Sequence, residues 1–245
     1  MRLTILGNNG PFPAPGGACS GYLLTWGQGA LQLDLGCGTL PRLTGMLPPE
    51  QLTAVILSHW HHDHCSDLLP LLYRMESLVA QGGKPLRVFG PVDEASPVRQ
   101  AAMKSPGVAL TDVLPGDVLH LDGAEITFAQ ARHPVPAVMM RIAADGRTLC
   151  YTGDTNTCDA LPDFARDADL LLADGLFPER VWDERKPHLS ARLCAGIARD
   201  AGAKRLVITH LNPAIAPGPL LEEARAVFPG AQLSRIGDTL SIPED

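Results

Sequence analysis

The stretch "SHWHHDHCSD", Ser58 to Asp67, constrains this chain more than any other. It gathers four of the eight histidines within positions 59–64 and sets Asp63 among them. Imidazoles crowded together lose hydration, so such a cluster needs a partner that offsets the loss. The run "TAVILS" (53–58) leads directly into it and has the apolar, β-rich character of a strand. Side chains gathered just past a strand end lie where sheet proteins usually keep a site. In an extended turn the period of two puts His59 and His61 on one side and Trp60 on the other. A helix is expected from Asp67, and the bend before it lets Asp63 and His64 face the same space from the opposite side. Imidazole and carboxylate are zinc-type ligands, and several of them around a cation account for the cluster. A lone histidine would be read as a solvent-facing turn residue; His59, His61, Asp63 and His64 together are read as ligands.

Further apolar, β-rich runs occur at 3–6, 20–26, 30–35, 86–90, 125–131, 138–143, 148–153, 169–175 and 205–210. Several are nearly continuous in hydrophobicity, as strands covered on both faces are. Helices are expected at 67–81, 92–104, 158–166, 189–201 and 219–227, the fourth with Gly202 as C-cap. The 24 glycines and 22 prolines fit short elements joined by many turns better than a helical bundle. Strand-rich sequence followed by alternating strands and helices predicts an α/β fold, two sheets packed face to face with helices outside, in a single domain over residues 1–245. No apolar run approaches the roughly 20 residues of a membrane span. "MRLTILGNNG" reads as a strand entering a glycine turn rather than a signal peptide, so the cytoplasm is the expected location. Six scattered cysteines without a CxxC pair then read as reduced, mostly buried thiols. The net charge of -7 counts against a non-specific grip on nucleic acid, whose affinity comes from phosphate neutralisation.

"HWHHDH" resembles the H-x-H-x-D-H signature of the metallo-β-lactamase fold, an αββα sandwich of two mixed β-sheets flanked by helices that binds one or two metals at one edge. Three more features fall in that family's order: His133 in "ARHPVPA", Asp154 in "YTGDT" and His210 in "VITHL". "LQLDLGCG", with Asp34, Gly36 and Gly38, looks like the family's early D-x-G-x-G turn. The resemblance spans essentially the whole chain. It implies a first metal held by His59, His61 and His133, a second held by Asp63, His64 and His210, and Asp154 bridging them. The cofactors implied are two divalent ions, zinc by the nitrogen-rich donor set, with manganese or iron as alternatives. Flavodiiron oxygen reductases of the same superfamily carry glutamate at the position of His61, so a histidine favours hydrolysis.

A second motif narrows the class. "KPHLSARLCAGIA" (186–198) resembles the H-x-[ST]-A stretch of ribonuclease Z and related phosphodiesterases, which implies that His188 assists the leaving group, with Ser190 as candidate helix cap. The N-terminal "LGNNGPFPAPGGACSGYLL" is similar to the opening of the same branch, where a glycine-proline loop can bring backbone N–H groups near a phosphate. The chain departs from bacterial ribonuclease Z in two ways. The span from His133 to Asp154 holds a hairpin around "DGR" and no room for a tRNA-binding arm, and Asp67 stands where that enzyme usually has glycine. The resemblance therefore implies a dinuclear zinc phosphodiesterase acting on a small or cyclic nucleotide or a short RNA phosphodiester, with His188 and Asp63 as catalytic residues. The alternatives are a thioesterase or lactonase on the same centre, a ribonuclease Z-type tRNA endonuclease, and a non-catalytic metal sensor, which seven filled ligand positions disfavour. Only 35 residues follow His210, so the helical extension of glyoxalase II relatives is not expected. Asp67 is assigned either to orienting a ligand histidine or to the N-terminus of its own helix. His62 and Trp60 are assigned to outward or packing positions, His120 to an ordinary strand end, and Cys65 to packing. No membrane partner is expected; related phosphodiesterases are often homodimers.

Overall fold

The computed structural model describes residues 1–243. β1 (Arg2–Gly7), β2 (Gly21–Trp26) and β3 (Gly29–Leu33) form an antiparallel meander. After α1 (Leu40–Thr44), β4 (Ala54–Ile56) joins β3 in parallel. α2 (His62–Cys65) and α3 (Leu68–Ala80) lead to β5 (Leu86–Pro91), and α4 (Pro97–Lys104) leads to β6 (Val108–Val113), each again parallel to its neighbour. The second sheet opens with antiparallel β7 (Val118–Leu121), β8 (Ala124–Gln130), β9 (Val138–Ala144) and β10 (Arg147–Tyr151). It continues in parallel through α5 (Leu161–Phe164), β11 (Leu170–Asp174), α6 (Ala191–Asp200), β12 (Leu206–Thr209), α7 (Pro217–Arg225) and β13 (Gln232–Leu233). β14 (Thr239–Ser241) returns to pair with β1. The two seven-stranded sheets have the orders β14-β1-β2-β3-β4-β5-β6 and β13-β12-β11-β10-β9-β8-β7.

The strands are continuously apolar because each is covered on both faces. In β2, Leu24 joins the core between the sheets, while its neighbour Leu23 packs under the helices of the first sheet. In β10, Leu149 and Tyr151 face the other sheet, and Cys150 between them packs against α5 and α6. This period of two, apolar on both sides, produces the sandwich. Every strand expected from the sequence is present. β6, β7, β13 and β14 were not expected; they are short or lie at sheet edges, where polar exposed residues dilute the apolar signal.

Helix α1 was not expected, α5 covers only Leu161–Phe164 of the expected 158–166, α7 runs Pro217–Arg225 against 219–227, and two more differences have local reasons. α4 begins only at Pro97, because the Ser96 hydroxyl accepts from the Arg99 backbone N–H and fixes the helix start there. The chain also turns helical at His62, ahead of Asp67, with His61 extended at the N-cap. Among the described residues no helix is long and apolar enough to cross a membrane. Between His133 and Asp154 the chain contains only a short loop and the β9–β10 hairpin, closed by Asp145–Gly146, both at positive φ. The C-terminal ends of β3, β4, β8, β10, β11 and β12 deliver Asp34, His59, His133, Asp154, Asp174 and His210 to one edge of the sandwich.

Candidate active site

Three imidazole nitrogens converge at the first group. His61 Nδ1 lies 3.1 Å from His59 Nε2 and 3.0 Å from His133 Nε2. The outer nitrogens are already committed. His59 Nδ1 lies 3.0 Å from Ser58 Oγ, whose own proton goes to Asp34 Oδ2, so the hydroxyl accepts from the ring. His133 Nδ1 donates to the Pro187 carbonyl at 3.2 Å. Both Nε2 atoms are thus lone pairs aimed at one point, and a single proton on His61 cannot serve two of them. A tetrahedral ion with bonds of ~2.0–2.1 Å holds its donors roughly 3.3 Å apart, close to the spacing here.

The second group lies beside the first. His210 Nε2 is 3.1 Å from Asp63 Oδ2 and 3.4 Å from Asp154 Oδ2, and His64 Nε2 is 3.7 Å from Asp63 Oδ2. Asp154 stands between the groups. Its Oδ1 is 3.1 Å from His64 Nε2, while Oδ2 also reaches to 3.7 Å from His59 Nε2. His64 Nε2, Asp154 Oδ1 and His210 Nδ1 are buried without a well-aligned hydrogen-bond partner. Buried polar atoms are rarely left so; His64 Nε2 and Asp154 Oδ1 face each other at 3.1 Å within the second group, while His210 Nδ1 is turned toward Asp174. The seven side chains form two overlapping sets, His59, His61, His133, Asp154 and Asp63, His64, Asp154, His210, each with its donor atoms within 4.8 Å of one another. This donor set fits divalent metal ions.

The charge states point the same way. Burial, reinforced by the neighbouring His64, holds His59 well below the usual imidazole range, and burial likewise lowers His61 and His133. All three are therefore neutral ligand-ready rings. Burial opposes charge on His64, but Asp154, Asp34 and Asp63 outweigh it and raise the ring well above its usual range. His210 is pushed up to about 10 against burial by Asp154, Asp174 and Asp63. Burial also opposes ionisation of Asp154, yet His210 and His64 keep its carboxyl well below the usual range. These carboxylates draw positive charge, protons on the two rings or cations in their place.

Two further carboxylates hold the rings. Asp34, fully buried, accepts from His64 Nδ1 at 2.7 Å, leaving Nε2 toward the centre. Asp174, at the end of β11, accepts from His188 Nδ1 at 2.7 Å, and its other oxygen is 3.4 Å from His210 Nδ1. The sequence marks Asp34 only as part of a turn and leaves Asp174 unassigned. Its signal was a carboxylate directly ending an apolar strand, the same pattern that marks Asp154. The His188 ring stacks on His210 at 4.9 Å and lies 5.5 Å from His133, so it borders both groups.

The loops approach without room to spare. A Cβ on Gly10 would stand 1.9 Å from His210 Nε2, and one on Gly36 would stand 2.0 Å from the Asp63 carbonyl oxygen. At the start of the N-terminal loop, the N–H groups of Asn8 and Asn9 donate to the Ala18 carbonyl and that of Gly10 to Leu211, so these three are committed within the protein. Asp67 stands at the N-cap position of α3, as one of its two assignments expects, without a side-chain cap bond there; the other assignment is corrected, because its Oδ2 accepts from the Leu40 N–H at 2.8 Å, at the start of α1, and not from a histidine. His62 is exposed, and His120 lies in β7. Trp60 is buried and donates to the Pro91 carbonyl. Cys65 is buried with its thiol pushed up to about 12, first by burial. All six cysteines are free thiols.

The family described as "Beta-lactamase superfamily domain" matches residues 38–211. The chain belongs to the beta-lactamase superfamily. Its two-sheet sandwich is the metallo-β-lactamase fold, and the protein is a metal-dependent hydrolase. It is 34% identical over 234 residues to "Probable metallo-hydrolase YhfI" of Bacillus subtilis, covering 94% of this chain and 95% of that one. The crystal structure of that YhfI superposes with a TM-score of 0.90 at 33% identity, over 97% of this chain and 98% of that one. "Ribonuclease Z" of Mycobacterium bovis (strain BCG / Pasteur 1173P2) is 31% identical over 248 residues, 89% of this chain and 88% of its own. The short form of human tRNase Z shares the fold, with a TM-score of 0.81 at 20% identity over 99% and 100% of the two chains.

Proposed function

We propose that this superfamily member is a phosphodiesterase with two divalent ions, zinc by donor type. The ions are held by His59, His61 and His133 on one side, by Asp63, His64 and His210 on the other, and by Asp154 between. The observation that carries this reading is the seat of His188 against both donor groups, with its Nδ1 committed to Asp174. Two ions bound there acidify a water and offset charge on the phosphoryl oxygens. With Nδ1 donating to Asp174, His188 is left with Nε2 to hand a proton to the departing alkoxide. Asp174 counters the burial of the ring and raises the pKa of His188, which keeps that proton available near neutral pH. The Asp63 side chain is 11% exposed, against 3% for Asp154, and its carboxylate would accept the proton that the attacking water gives up and pass it on to solvent.

A thioester expels a thiolate and needs less help at the leaving group, so a histidine fixed over the centre favours the poorer alkoxide leaving group of a phosphodiester. The net charge of -7 and the two-residue β9–β10 turn favour a small or cyclic nucleotide, or a short RNA, over a folded tRNA. The experiment is His188→Ala. It should leave metal content unchanged and depress turnover of an alkyl-leaving phosphodiester by about 10²–10⁴-fold, while bis-p-nitrophenyl phosphate loses far less. Equal losses on both substrates would refute the acid role. A wild-type protein that hydrolyses acyl thioesters or lactones but no phosphodiester would refute the assignment.

A further inference from the structure

A cavity of about 950 Å³ opens between the N-terminal loop, α7 and β13, a volume typical of small-molecule sites. Neither His188 nor any of the seven candidate ligands lines it, so it is separate from the centre described above. The two adjoin through the backbone. Asn9 and Leu211 line the cavity, and their chain neighbours Gly10 and His210 meet at the candidate metal edge, where a Cβ on Gly10 would stand 1.9 Å from His210 Nε2.

The walls are fastened in advance. Asn8 Nδ2 donates to the Ser234 carbonyl at 2.7 Å, and Ser234 Oγ donates at 3.1 Å to Oγ1 of Thr209, the residue before His210. Asn9 Oδ1 accepts from the Ala14 N–H at 3.0 Å, and Arg42 Nη2 donates to the Gly16 carbonyl at 2.8 Å, so the loop wall is tied down at two points. A site already held in shape loses little conformational entropy when a ligand enters.

The lining has two characters. Leu211, Leu221, Leu233 and Leu240 make an apolar wall, and Arg205, Arg225 and Arg235 add cationic groups; Asp238 is the one carboxylate among the described lining residues. In a chain of net charge -7 this reverses the local sign of the surface. Arg205 is engaged, donating to the Ser241 carbonyl at 2.9 Å and to Gln232 Oε1 at 3.4 Å. Arg225 is steered by one bond, from Nε to the Ala231 carbonyl at 3.1 Å, and its two Nη groups have no hydrogen-bond partner among the described residues. The Arg235 guanidinium, also on the lining, has none either. Guanidinium forks beside an apolar wall match a phosphate or carboxylate head on an apolar body.

We propose that this cavity is a second ligand site. It takes a small organic anion, with the phosphate or carboxylate head at Arg225 and Arg235 and the apolar body against the leucine wall. The site needs neither bound ions nor hydrolysis, so it stands or falls apart from the phosphodiesterase reading.

The test is titration calorimetry on the purified protein, as isolated and after chelation, with 1-naphthyl phosphate and 1-naphthoate set against inorganic phosphate and 1-naphthol. In both states one naphthyl anion should bind more than about tenfold tighter than inorganic phosphate and than the uncharged naphthol. The tighter of the two identifies the head group. Arg225→Gln and Arg235→Gln should each weaken that binding about tenfold, since each removes a charge-assisted contact. Both side chains are exposed, and an unchanged circular dichroism spectrum checks that each variant is folded. No binding of either naphthyl anion at about 1 mM, or an affinity indifferent to both arginines, overturns the proposal. Phosphate or naphthol binding as tightly as the naphthyl anions overturns it too. So does binding that chelation abolishes, which belongs to the catalytic centre.

Discussion

Asp34 touches no candidate ion position, yet it sets the direction of two rings. Its Oδ2 accepts from His64 Nδ1, from the Tyr151 hydroxyl at 2.5 Å and from Ser58 Oγ at 2.9 Å, while Oδ1 accepts from the Ser58 N–H at 2.7 Å. Ser58 Oγ passes the constraint to His59 Nδ1. One carboxylate therefore fixes the tautomer of a ligand in each donor group, the kind of outer partner on which metal affinity depends. Its φ of +51° lies in the left-handed region, which asparagine tolerates, so Asp34→Asn changes charge and acceptor count without straining the backbone. The variant should bind metal about 10–100-fold more weakly in competition with a chromogenic chelator. Unchanged affinity would mean that the rings are held by something else. None of this is written as spacing, because positions 34, 58, 64 and 151 become neighbours only when β3, β4 and β10 are packed. The candidate ligands themselves were legible, since each is a histidine or aspartate following an apolar strand or lying in the 59–64 cluster.

Elements were legible in proportion to their burial. β2, β10 and β11 read as strands because both faces are covered, whereas β6 and β7 alternate toward solvent at sheet edges and carry too few apolar residues to stand out. The helical turn at His62 lies ahead of the expected start because α2 is a single turn, two of whose four residues are the candidate ligands Asp63 and His64, with no apolar periodicity to announce it. α6 runs Ala191–Asp200 within the expected 189–201, with Ser190 as the expected N-cap; its C-cap is Ala201, and Gly202, expected there, follows at φ +69°. The Ser190 hydroxyl accepts from the Leu193 N–H at 3.1 Å and donates to the Glu179 carboxylate, and the buried face of Ala191, Cys194, Ala195 and Ala198 packs on the second sheet. Ser190→Ala should lower unfolding free energy by about 1 kcal/mol in urea titrations, with the m-value unchanged. A loss below about 0.3 kcal/mol would show that the cap contributes little to holding the helix.

The two halves of the sandwich meet at the candidate metal edge. His59, His61, Asp63 and His64 come from the first sheet's side, and His133, Asp154 and His210 from the second, so ions bound between them would link the two halves of the core. Ligands that bind only the folded state add RT ln(1 + [L]/Kd), about 4 kcal/mol when free ion exceeds Kd a thousandfold. At roughly 2–4 °C per kcal/mol for a chain of this size, chelation should lower Tm by about 10 °C in scanning calorimetry, and added zinc should restore it. A Tm indifferent to chelator would detach metal binding from the stability of the two-sheet core. The most direct test of the proposed centre is anomalous diffraction from crystals of the purified protein, at the absorption edge of the element that X-ray fluorescence identifies. Two peaks are predicted, one against His59, His61 and His133 and the other against Asp63, His64 and His210, both ~2.0–2.2 Å from Asp154 oxygens. No peak at this edge of the sandwich, or density for ions that leave Asp154 unbound, would contradict the assignment.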